Sequence, residues 1–502
     1  MSRYYEHPLY LTEQVREIDR RTIAAGKNDG FEGFDLMQRA AKAAYDELRS
    51  RWPSAQRLCV LCGAGNNAGD GYVMAALAVE DGLSVQLFAL REPGELTDDA
   101  ARAVEMAQRA GVDTISWQES MALEGDIIID ALLGTGLGGE VREPFAAAIK
   151  AISASALPVL AVDIPSGLAA DTGAVLGCAV KADVTVTFIA DKLGLHTGQA
   201  ANHVGEVVFC SLDIEAQAHQ DLVPVADLLN ETVIAMALPP RRRGSHKGDF
   251  GHVLVIGGAP GFGGAALLAS ESAARLGAGK ISLATAPEHV GASLIRTPEV
   301  MVRGVRGVSD VMPLLEGANV IVIGPGLGQG AWGQGMLQVA LASNKPLVVD
   351  ADGLNLLATH WPDERRDNWV LTPHPGEAAR LLDSSAKNIE ADRLAAVQTL
   401  QRKRGGVIVL KGAGTLVAGP EHVAVCPYGN PGMASGGMGD VLSGMLGALV
   451  AQGLEMEQTA HVGVTLHALA ADYAAFEAGE RGLLAGDLAS YGRFLANPGM
   501  AD

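Results

Sequence analysis

The 502-residue sequence is short of cysteine, of basic residues and of long apolar runs. Five cysteines, an odd number, argue against a disulfide framework and favour a reducing compartment, so we expect a cytoplasmic location. Lys and Arg number 38 against 58 Asp and Glu, and the net charge of −20 disfavours nucleic acid and anionic membranes as partners. No apolar stretch reaches the roughly 18 residues that span a bilayer, and the polar N-terminus lacks an apolar signal core, which argues against secretion.

Glycine, by contrast, is abundant, with 62 residues, and 48% of the chain is hydrophobic. This glycine content suggests many tight strand-to-helix turns, as α/β folds with phosphate-binding loops require. The chain is also longer than one domain, since domains hold about 100–200 residues. The composition therefore predicts at least two α/β domains.

Short β-rich runs alternate with Ala-rich helical stretches in both halves, which is typical of parallel sheets covered on both faces. The predicted strands of the first half are RLCVLC, SVQLFAL, IIIDALLG, PVLAVDIPSG and DVTVTFIA, with GEVVFCSLDI as the closing strand. Those of the second half are GHVLVIGG, KISLAT, NVIVIGPGLG, KPLVVDADG, NWVLTPHPGE, GVIVLKGAGT and HVAVCP, followed by two long helices over about 439–452 and 459–476. We place the boundary between about Ala216 and Leu228, which gives domains 1–217 and 228–502.

A Gly-rich run in the first half, GAGNNAGDG from Gly63 to Gly71, joins a predicted strand to a predicted helix. Its backbone amides would face a helix N-terminus, where phosphate binds well. The run also matches G-x-G-x-x-A, the dinucleotide-binding fingerprint, but that pattern is common in plain turns. No clear acidic residue ends the second strand, which argues against an ordinary NAD dehydrogenase. The asparagines and Asp70 instead offer oxygens for a cation and polar groups for a substrate.

Three more polar positions follow strands of the same predicted sheet, at the edge where open α/β sheets bind ligands. They are Asp130, Asp163 with Ser166, and Lys192. An Asp that closes a strand often only caps the next helix, but the convergence of these positions favours a site. Asn67, Asp130 and Ser166 would offer ligands to a monovalent or hard cation, while Asp163 and Lys192 could move protons.

The second half carries NPGMASGGMGD, from Asn430 to Asp440, before a long apolar helix. Small residues let successive N–H groups point inward, which predicts an anion hole with the Asp440 carboxylate at its rim. Asp440 could be a helix cap, but a cap alone does not need a Gly-rich loop before it. In phosphoryl transfer, a carboxylate beside an anion hole can take the proton of an acceptor hydroxyl. Upstream, Lys411 to Thr415 (KGAGT) suits a nucleotide and is not a Walker A loop.

The segments GAGNNAGDGYV, DALLGTGL, VDIPSGL and TFIADKLGLHTG resemble the N-terminal, Rossmann-like epimerase domain of the bifunctional NAD(P)H-hydrate repair enzyme family. The resemblance implies a K⁺ site at Asn67, Asp130 and Ser166. It also implies contacts of the hydrated cofactor with Asn66, Asn67, Ala68, Gly69, Asp70, Gly134, Thr135, Gly136, Leu137, Gly138, Gly139, Glu140 and Asp163. The family loop usually reads NNGGDG, and this chain has Ala68; if that position needs a positive φ, alanine costs on the order of 1 kcal/mol.

Six later segments resemble the ADP-dependent dehydratase domain of the same family, which has a ribokinase-like αβα fold. They are GSHKGDFGHVLVIGG, VIGPGLG, DADGLNLL, LTPHPGE, VLKGAGT and NPGMASGGMGDVLSG. The resemblance implies that Asp440 acts on the substrate and that the hydrated cofactor contacts Ala265, Gly326, His374 and Asp440. The residues implied to hold ADP, bound with Mg²⁺, are Lys411, Gly412, Ala413, Gly414, Thr415 and Gly439.

The resemblance as a whole implies repair of nicotinamide cofactors. The first domain would interconvert the R and S hydrates of NADH or NADPH, and the second would dehydrate the S form with ADP, giving NAD(P)H, AMP and phosphate. A homo-oligomer is also expected. Two alternatives stay open: an ATP-using kinase fused to a dinucleotide-binding domain, and a first domain that binds without catalysis.

Two further features receive no functional role from the sequence. The run Arg241 to Arg243 is more typical of a solvated linker than of a phosphate site. Cys59 and Cys62 have CxxC spacing, but in a strand residues i and i+3 face opposite sides, so a metal or redox role is not expected.

Overall fold

The computed structural model describes residues 7–497 of the chain. Within this range the chain forms two compact units, His7–Ala226 and a second unit that begins at Asp227. Each unit has its own mainly parallel sheet with helices packed against it, so the predicted α/β class is confirmed for both halves. All five cysteines are free thiols. Among the described residues, no helix has both the length and the apolar character needed to cross a bilayer.

The first unit is built on a seven-stranded parallel sheet. The seven strands of this sheet are β2 (Arg57–Cys62), β3 (Ser84–Ala89), β4 (Thr114–Ser116), β5 (Ile127–Ala131), β6 (Val159–Val162), β7 (Val184–Phe188) and β9 (Glu206–Cys210), and two short strands, β1 (Pro8–Tyr10) and β8 (Asp191–Lys192), lie outside it. Its helices are α1 (Thr12–Gly26), α2 (Gly33–Arg51), α3 (Asn66–Glu80), α4 (Asp98–Arg109) and α5 (Phe145–Ala154). The sheet order is β4-β3-β2-β5-β6-β7-β9, and β1 pairs with β8 in parallel. The predicted strands are all present, with β9 closing the sheet as expected.

Both faces of this sheet are covered, which explains why its central strands are apolar almost throughout. Strands β5, β6 and β7 are buried at every residue. Cys59 packs with Ile128 and Ile149 in one apolar cluster, whereas Cys62 packs with Tyr72 in another. The two thiols of the CxxC sequence therefore belong to different packing layers, as predicted.

The second unit contains the remaining strands and helices. The strands are β10 (Ala226–Leu228), β11 (His252–Ile256), β12 (Lys280–Thr285), β13 (Met301–Gly304), β14 (Val320–Ile323), β15 (Leu347–Val349), β16 (Trp369–Leu371), β17 (Val407–Leu410), β18 (Thr415–Ala418) and β19 (Val423–Cys426). The helices are α6 (Thr232–Ala237), α7 (Gly263–Arg275), α8 (Val290–Arg296), α9 (Val308–Gly317), α10 (Ala331–Ala342), α11 (Ala351–His360), α12 (Pro375–Leu382), α13 (Ala386–Ala391), α14 (Arg393–Arg404), α15 (Met438–Ala451), α16 (Met456–Ala478) and α17 (Leu488–Leu495).

The strand order of the second unit is β13-β12-β11-β14-β15-β16-β17-β18-β19-β10. The seven strands β11 to β17 are paired in parallel, while β18 runs antiparallel to both β17 and β19. The two long C-terminal helices lie where predicted, as α15 and α16. The sequence did not predict β10, β13 or β18. β10 has only three residues, β13 has two exposed residues, and only the first residue of β18, Thr415, belonged to a predicted segment, the loop 411–415.

Candidate active sites

Polar residues of the first unit meet at the carboxyl edge of its sheet. Asp130 lies near the end of β5, Ser166 follows β6, and both are fully buried. The Ser166 N–H donates to one Asp130 oxygen at 2.8 Å and its hydroxyl donates to the other at 2.6 Å. Burial raises the pKa of Asp130 to about 6, although these hydrogen bonds lower it. Because no cation of residues 7–497 pairs with this carboxylate, a bound cation would complete its charge balance.

The third residue expected in the cation site, Asn67, is buried at the start of α3. Neither its amide oxygen nor its amide nitrogen has a hydrogen-bond partner among the described residues. A buried polar group without a partner costs free energy, so this amide is suited to a ligand. Gly134 lies against it, since a methyl group at Gly134 would come within 3.3 Å of the Asn67 Cβ and 3.9 Å of its amide oxygen. The structure therefore places Asn67 beside the loop 134–140.

Asp163 and Lys192 form an ion pair in the same unit. Nζ of Lys192 donates to Oδ1 of Asp163 at 2.7 Å and to the Thr187 hydroxyl at 2.8 Å. The lysine side chain is 1% exposed and the aspartate 19%, so the carboxylate is the accessible partner. Asp163 also has a φ of +66°, a conformation that costs energy for a non-glycine residue and is concentrated at functional sites. This pair is suited to proton transfer at a ligand.

Asp19, on α1, belongs to the same charged group and was missed by the sequence analysis. Its Oδ1 is buried without a hydrogen-bond partner among the described residues. Burial raises the pKa of Asp19 to about 6, with Lys192 lowering it and Asp163 raising it. Burial also raises the pKa of Asp70 well above its ordinary value, and the charges of Asp163 and Asp19 raise it further. Asp163 and Asp19 thus interact with one buried lysine, and Asp70 interacts with both carboxyl groups. No motif in α1 signals this arrangement.

The Gly-rich run becomes helical earlier than predicted. Helix α3 starts at Asn66 after an extended Gly65, so the asparagines lie in its first turn and not in a loop. First-turn amides have no partner within the helix and favour anions. Ala68 is fully buried in the core and is not among the residues with positive φ, so the condition under which alanine would be strained is not met.

The remaining residues expected to contact the hydrated cofactor have different surroundings. Gly69 faces the protein interior, since a methyl group there would come within 2.6 Å of the Met37 sulfur. Ala68 and Gly69 can therefore offer a ligand only backbone groups. The loop 134–140 is irregular and mostly exposed, and the Thr135 carbonyl accepts a hydrogen bond from Arg16 at 3.3 Å.

In the second unit, charged residues follow three neighbouring parallel strands. Asp350 follows β15, Glu377 lies in the first turn of α12 after β16, and Lys411 follows β17. Lys411 Nζ donates to Asp350 Oδ1 at 2.7 Å and lies 3.9 Å from Oε2 of Glu377. The Ser443 hydroxyl of α15 donates to the other Asp350 oxygen at 2.8 Å. Adjacent strand ends and one helix thus assemble a single charged cluster.

The pair of Asp350 and Lys411 is charged at neutral pH. Burial acts to raise the pKa of Asp350, but the charge of the Lys411 ammonium and the hydrogen bonds that the Asp350 carboxylate accepts hold that pKa below its ordinary value. For Lys411, burial acts to lower the pKa, and the Asp350 and Glu377 carboxylates raise it above its usual range. The sequence analysis assigned no role to Asp350 or Glu377. Asp350 carried the same signal as Asp130, an acidic residue directly after a buried strand.

Gly439 and Asp440 lie in the first turn of α15, next to this pair. A methyl group at Gly439 would come within 3.2 Å of Asp350 Oδ2 and of Lys411 Nζ. Burial and the Asp350 charge raise the pKa of Asp440 to about 7, while Lys411 lowers it. A carboxyl group that titrates near neutral pH is suited to act as a general base. The structure therefore brings together Lys411, Gly439 and Asp440, as the sequence analysis expected.

His374 borders the cluster through Glu377. The Glu377 carboxylate accepts the His374 backbone N–H at 2.8 Å, and Nδ1 of His374 accepts the N–H of Gly376 at 3.0 Å. Burial lowers the pKa of His374, whose side chain is half exposed. Burial raises the pKa of Glu377 to about 7, with Lys411 lowering it. His374 is therefore a neutral, accessible ring at the rim of the cluster.

Ala265 and Gly326 lie together on the other side of Asp350 in the strand order. Gly326, with a φ of +58°, follows β14, and a methyl group there would come within 2.5 Å of the Phe262 carbonyl oxygen and 3.3 Å of Ala265 Cβ. Only glycine allows this close approach of the two turns. Both residues thus flank the sheet edge that ends in Asp350.

The segment 411–415 is a hairpin turn and not an open loop. Thr415 begins β18, and its hydroxyl donates to the Gly412 carbonyl at 2.9 Å. Gly412 and Ala413 are exposed at the tip. Gly412, with a φ of +140°, lies against the Arg393 guanidinium, where a methyl group would come within 3.0 Å. The turn offers backbone groups close to the Lys411 ammonium.

Two α/β units, each with a charged site at the carboxyl edge of its own sheet, define a two-site α/β enzyme. Family models match both: the YjeF-related protein N-terminus over residues 33–194 and NAD(P)H-hydrate dehydratase over 253–492. The chain is 46% identical over 491 residues to a bifunctional NAD(P)H-hydrate repair enzyme from Coxiella burnetii, covering 98% of this chain and 99% of that protein. It is 44% identical over 501 residues to the enzyme of the same description from Escherichia coli, covering 99% and 95%. The chain belongs to the family of bifunctional NAD(P)H-hydrate repair enzymes.

Among solved structures, the second unit is similar to an ADP/ATP-dependent NAD(P)H-hydrate dehydratase from Bacillus subtilis, co-crystallised with ATP/Mg²⁺. That alignment has 28% identity and a TM-score of 0.47, and covers 53% of this chain and 96% of the other. A ribokinase-like superfamily protein from Enterococcus faecalis aligns at 30% identity with a TM-score of 0.49, covering 53% and 94%.

Proposed function

We propose that the protein repairs hydrated NADH and NADPH through two separate activities. Residues 1–217 interconvert the R and S hydrates, and residues 228–502 dehydrate the S form at the expense of ADP. The observation that carries the proposal is the Lys411 cluster, in which a carboxyl group of pKa about 7, Asp440, lies at a helix N-terminus beside a partly buried lysine. A helix N-terminus and an ammonium group attract phosphate, while the carboxyl group accepts a proton.

In the proposed dehydratase step, the oxygen of the substrate C6 hydroxyl attacks the β-phosphorus of ADP while Asp440 takes the proton of that hydroxyl. The bond between that phosphorus and the bridging oxygen breaks, and AMP leaves. The phosphate ester then loses phosphate from C6 and a proton from C5, which restores the ring double bond. Lys411 and the first-turn amides of α15 stabilise the negative charge on the transferring group. The hydrated nicotinamide lies against Ala265, Gly326 and His374.

Mg²⁺ fits the second unit as an ion bound together with the phosphates of ADP, since residues 7–497 hold no group of three or more His, Cys, Asp or Glu arranged to bind a metal ion without them. Asp350, Glu377 and Asp440 provide three carboxyl groups against one lysine, and hard oxygen ligands suit this ion. Bound with ADP, the ion would neutralise charge on the phosphates. Lys411 and the first-turn amides of α15 orient the nucleotide, and Asp440 holds the proton.

K⁺ fits the Asp130 site of the first unit. The donors are one carboxylate, one hydroxyl and the unpartnered Asn67 amide, a set of hard oxygens with a single negative charge. Asp163, with Lys192 behind it, exchanges protons with the hydrate held by the loop 134–140 and the start of α3.

The test is to incubate the full chain with separated R and S hydrates of NADH, with ADP, with ATP or without nucleotide. We expect epimer exchange without nucleotide and recovery of the reduced-ring absorbance from the S form with ADP. Stable accumulation of a phosphate ester with ATP would instead identify a kinase. Absence of epimer exchange would reduce the first unit to a binding module. The cytoplasmic location and the homo-oligomeric state remain predictions.

A further inference from the structure

The second unit contains a large cavity at the edge of its sheet opposite to the Lys411 cluster. Its volume is about 1490 Å³, and its walls include Phe250, just before β11, and Lys280, the first residue of β12. Asp350 and Lys411 follow the carboxyl ends of their strands, whereas this cavity opens at the amino ends. A five-residue strand such as β11 spans about 16 Å, so the cavity is separate from the proposed active site.

The cavity is positively charged in a chain whose net charge is −20. Seven of its lining residues are Lys or Arg and three are Asp or Glu. The positive residues come from distant parts of the unit: the segment after α6, the end of α7, the end of α8 and α17. Cations repel one another, so their convergence on one cavity is unfavourable without an anionic partner.

Only some of these basic side chains form ion pairs or hydrogen bonds within the protein. Arg241 donates to the Gly277 carbonyl and the Gln452 side chain, both at 2.6 Å, and stacks on the Phe250 ring. It therefore caps the ends of α7 and α15, and Arg296 pairs with Glu271 at 3.2 Å. The side chains of the other five form no ion pair and donate no hydrogen bond among residues 7–497: Arg242, Lys247, Arg275, Lys280 and Arg493.

The walls also carry groups that suit an organic ligand. Pro239, Pro240 and Met301 give the cavity apolar surface next to the cations. Thr297 lines it as well, and its hydroxyl is buried without a hydrogen-bond partner among the described residues. A bound anion would supply the missing acceptor.

We propose that this cavity is a binding site for a small molecule that carries a polyphosphate group, distinct from the nucleotide of the dehydratase reaction. Guanidinium groups bind phosphate oxygens through paired hydrogen bonds, and several unpaired cations within one cavity match the several charges of a polyphosphate. The volume exceeds that needed for one inorganic phosphate, and the apolar wall accommodates the organic part of the ligand.

The experiment is calorimetric titration of the full chain with inorganic tripolyphosphate. The test variant is R242Q/R275Q, since both arginines are exposed and unpaired among the described residues. The matched control is K387Q/R402Q, which removes the same charge from exposed positions of α13 and α14 outside the cavity. Tripolyphosphate at the active site is unaffected by either change, so the difference between the two variants reports the cavity.

We expect the control to bind as the unmodified protein does and R242Q/R275Q to lose the cavity isotherm or weaken it at least about tenfold. Binding should also weaken as salt concentration rises. Thr297→Val, which removes only the hydroxyl, should weaken binding without lowering the unfolding temperature. Equal binding by R242Q/R275Q and the control would overturn the proposal. So would a change of particle mass in R242Q/R275Q with unchanged tripolyphosphate affinity, because the cavity would then be an interface between copies of the chain.

Discussion

Replacing Asp440 by asparagine tests whether this residue is a catalytic base or only a helix cap, because the two roles predict opposite changes in the free energy of unfolding. Burial raises the pKa of Asp440 to about 7, from an ordinary value near 4. In the folded protein the ionised form is therefore penalised, so stability falls as pH rises from about 4 through 7. At pH 8 the penalty amounts to at most about 4 kcal/mol, and solvent at the open side of the site reduces it.

Asp440→Asn removes this penalty, and we expect the free energy of unfolding at pH 8 to rise by about 1–3 kcal/mol. A simple cap would give the opposite result, because its loss costs about 1 kcal/mol. Below about pH 4 the carboxyl group is neutral in both states, so the gain in stability should disappear. Denaturant titration at pH 4 and pH 8 measures both points.

The same variant should lose dehydration by roughly 10²- to 10⁴-fold, the usual effect of removing a general base. In the unmodified protein, kcat/KM for dehydration, which reports the free enzyme, should rise with pH through about 7 as Asp440 ionises. Asp310→Asn is the control, because Asp310 lies in the first turn of α9 and accepts the Arg306 N–H at 2.9 Å. It should lose stability slightly and keep both activities. An Asp440→Asn protein that is less stable at pH 8 and still dehydrates at near the normal rate would refute the reasoning.

Four further changes test the two sites. Asp130→Asn should weaken K⁺ dependence and slow epimerisation at least about tenfold while dehydration stays normal; an unchanged K⁺ response would exclude the site. Asp19→Asn removes a negative charge near Asp70, so the pKa of Asp70, measured by NMR titration of its carboxyl group, should fall. Lys411→Met leaves buried Asp350 without its ion-pair partner, and we expect unfolding free energy to drop by about 3 kcal/mol, measured by denaturant titration. Ala68→Gly should cost about 1 kcal/mol of stability because residue 68 is helical, with epimerase activity retained.

The sequence was sufficient to predict the features that depend on local patterns. Alternation of buried strands and helices located the sheets, and polar residues after strands located Asp130, Asp163, Lys192 and Lys411. These positions share a physical reason, since parallel strands end at one edge and a residue just beyond a buried strand faces the site. The same rule applied strictly would have found Asp350 as well.

The features that could not be predicted depend on contacts between distant segments. Asp19 lies in a helix with no functional motif, and its importance comes only from the packing of α1 near Lys192 and Asp163. Glu377 follows β16, and its contact with Lys411 requires that β16 and β17 be neighbours. The helical state of Ala68 depends on where α3 begins, and Gly-rich sequences leave that start undefined.

The charged cluster of each unit contains more carboxyl groups than cations, and in the second unit this excess favours a metal ion bound with the nucleotide. In the first unit Asp19 and Asp163 interact with Lys192, and Asp70 interacts with those two carboxyl groups; in the second, Glu377, Asp440 and Asp350 share Lys411. The elevated pKa values of Glu377 and Asp440, both about 7, are the electrostatic consequence of that excess combined with burial. A cation bound with the nucleotide would lower both pKa values, so Asp440 would be ionised, and able to take a proton, mainly once the nucleotide is in place.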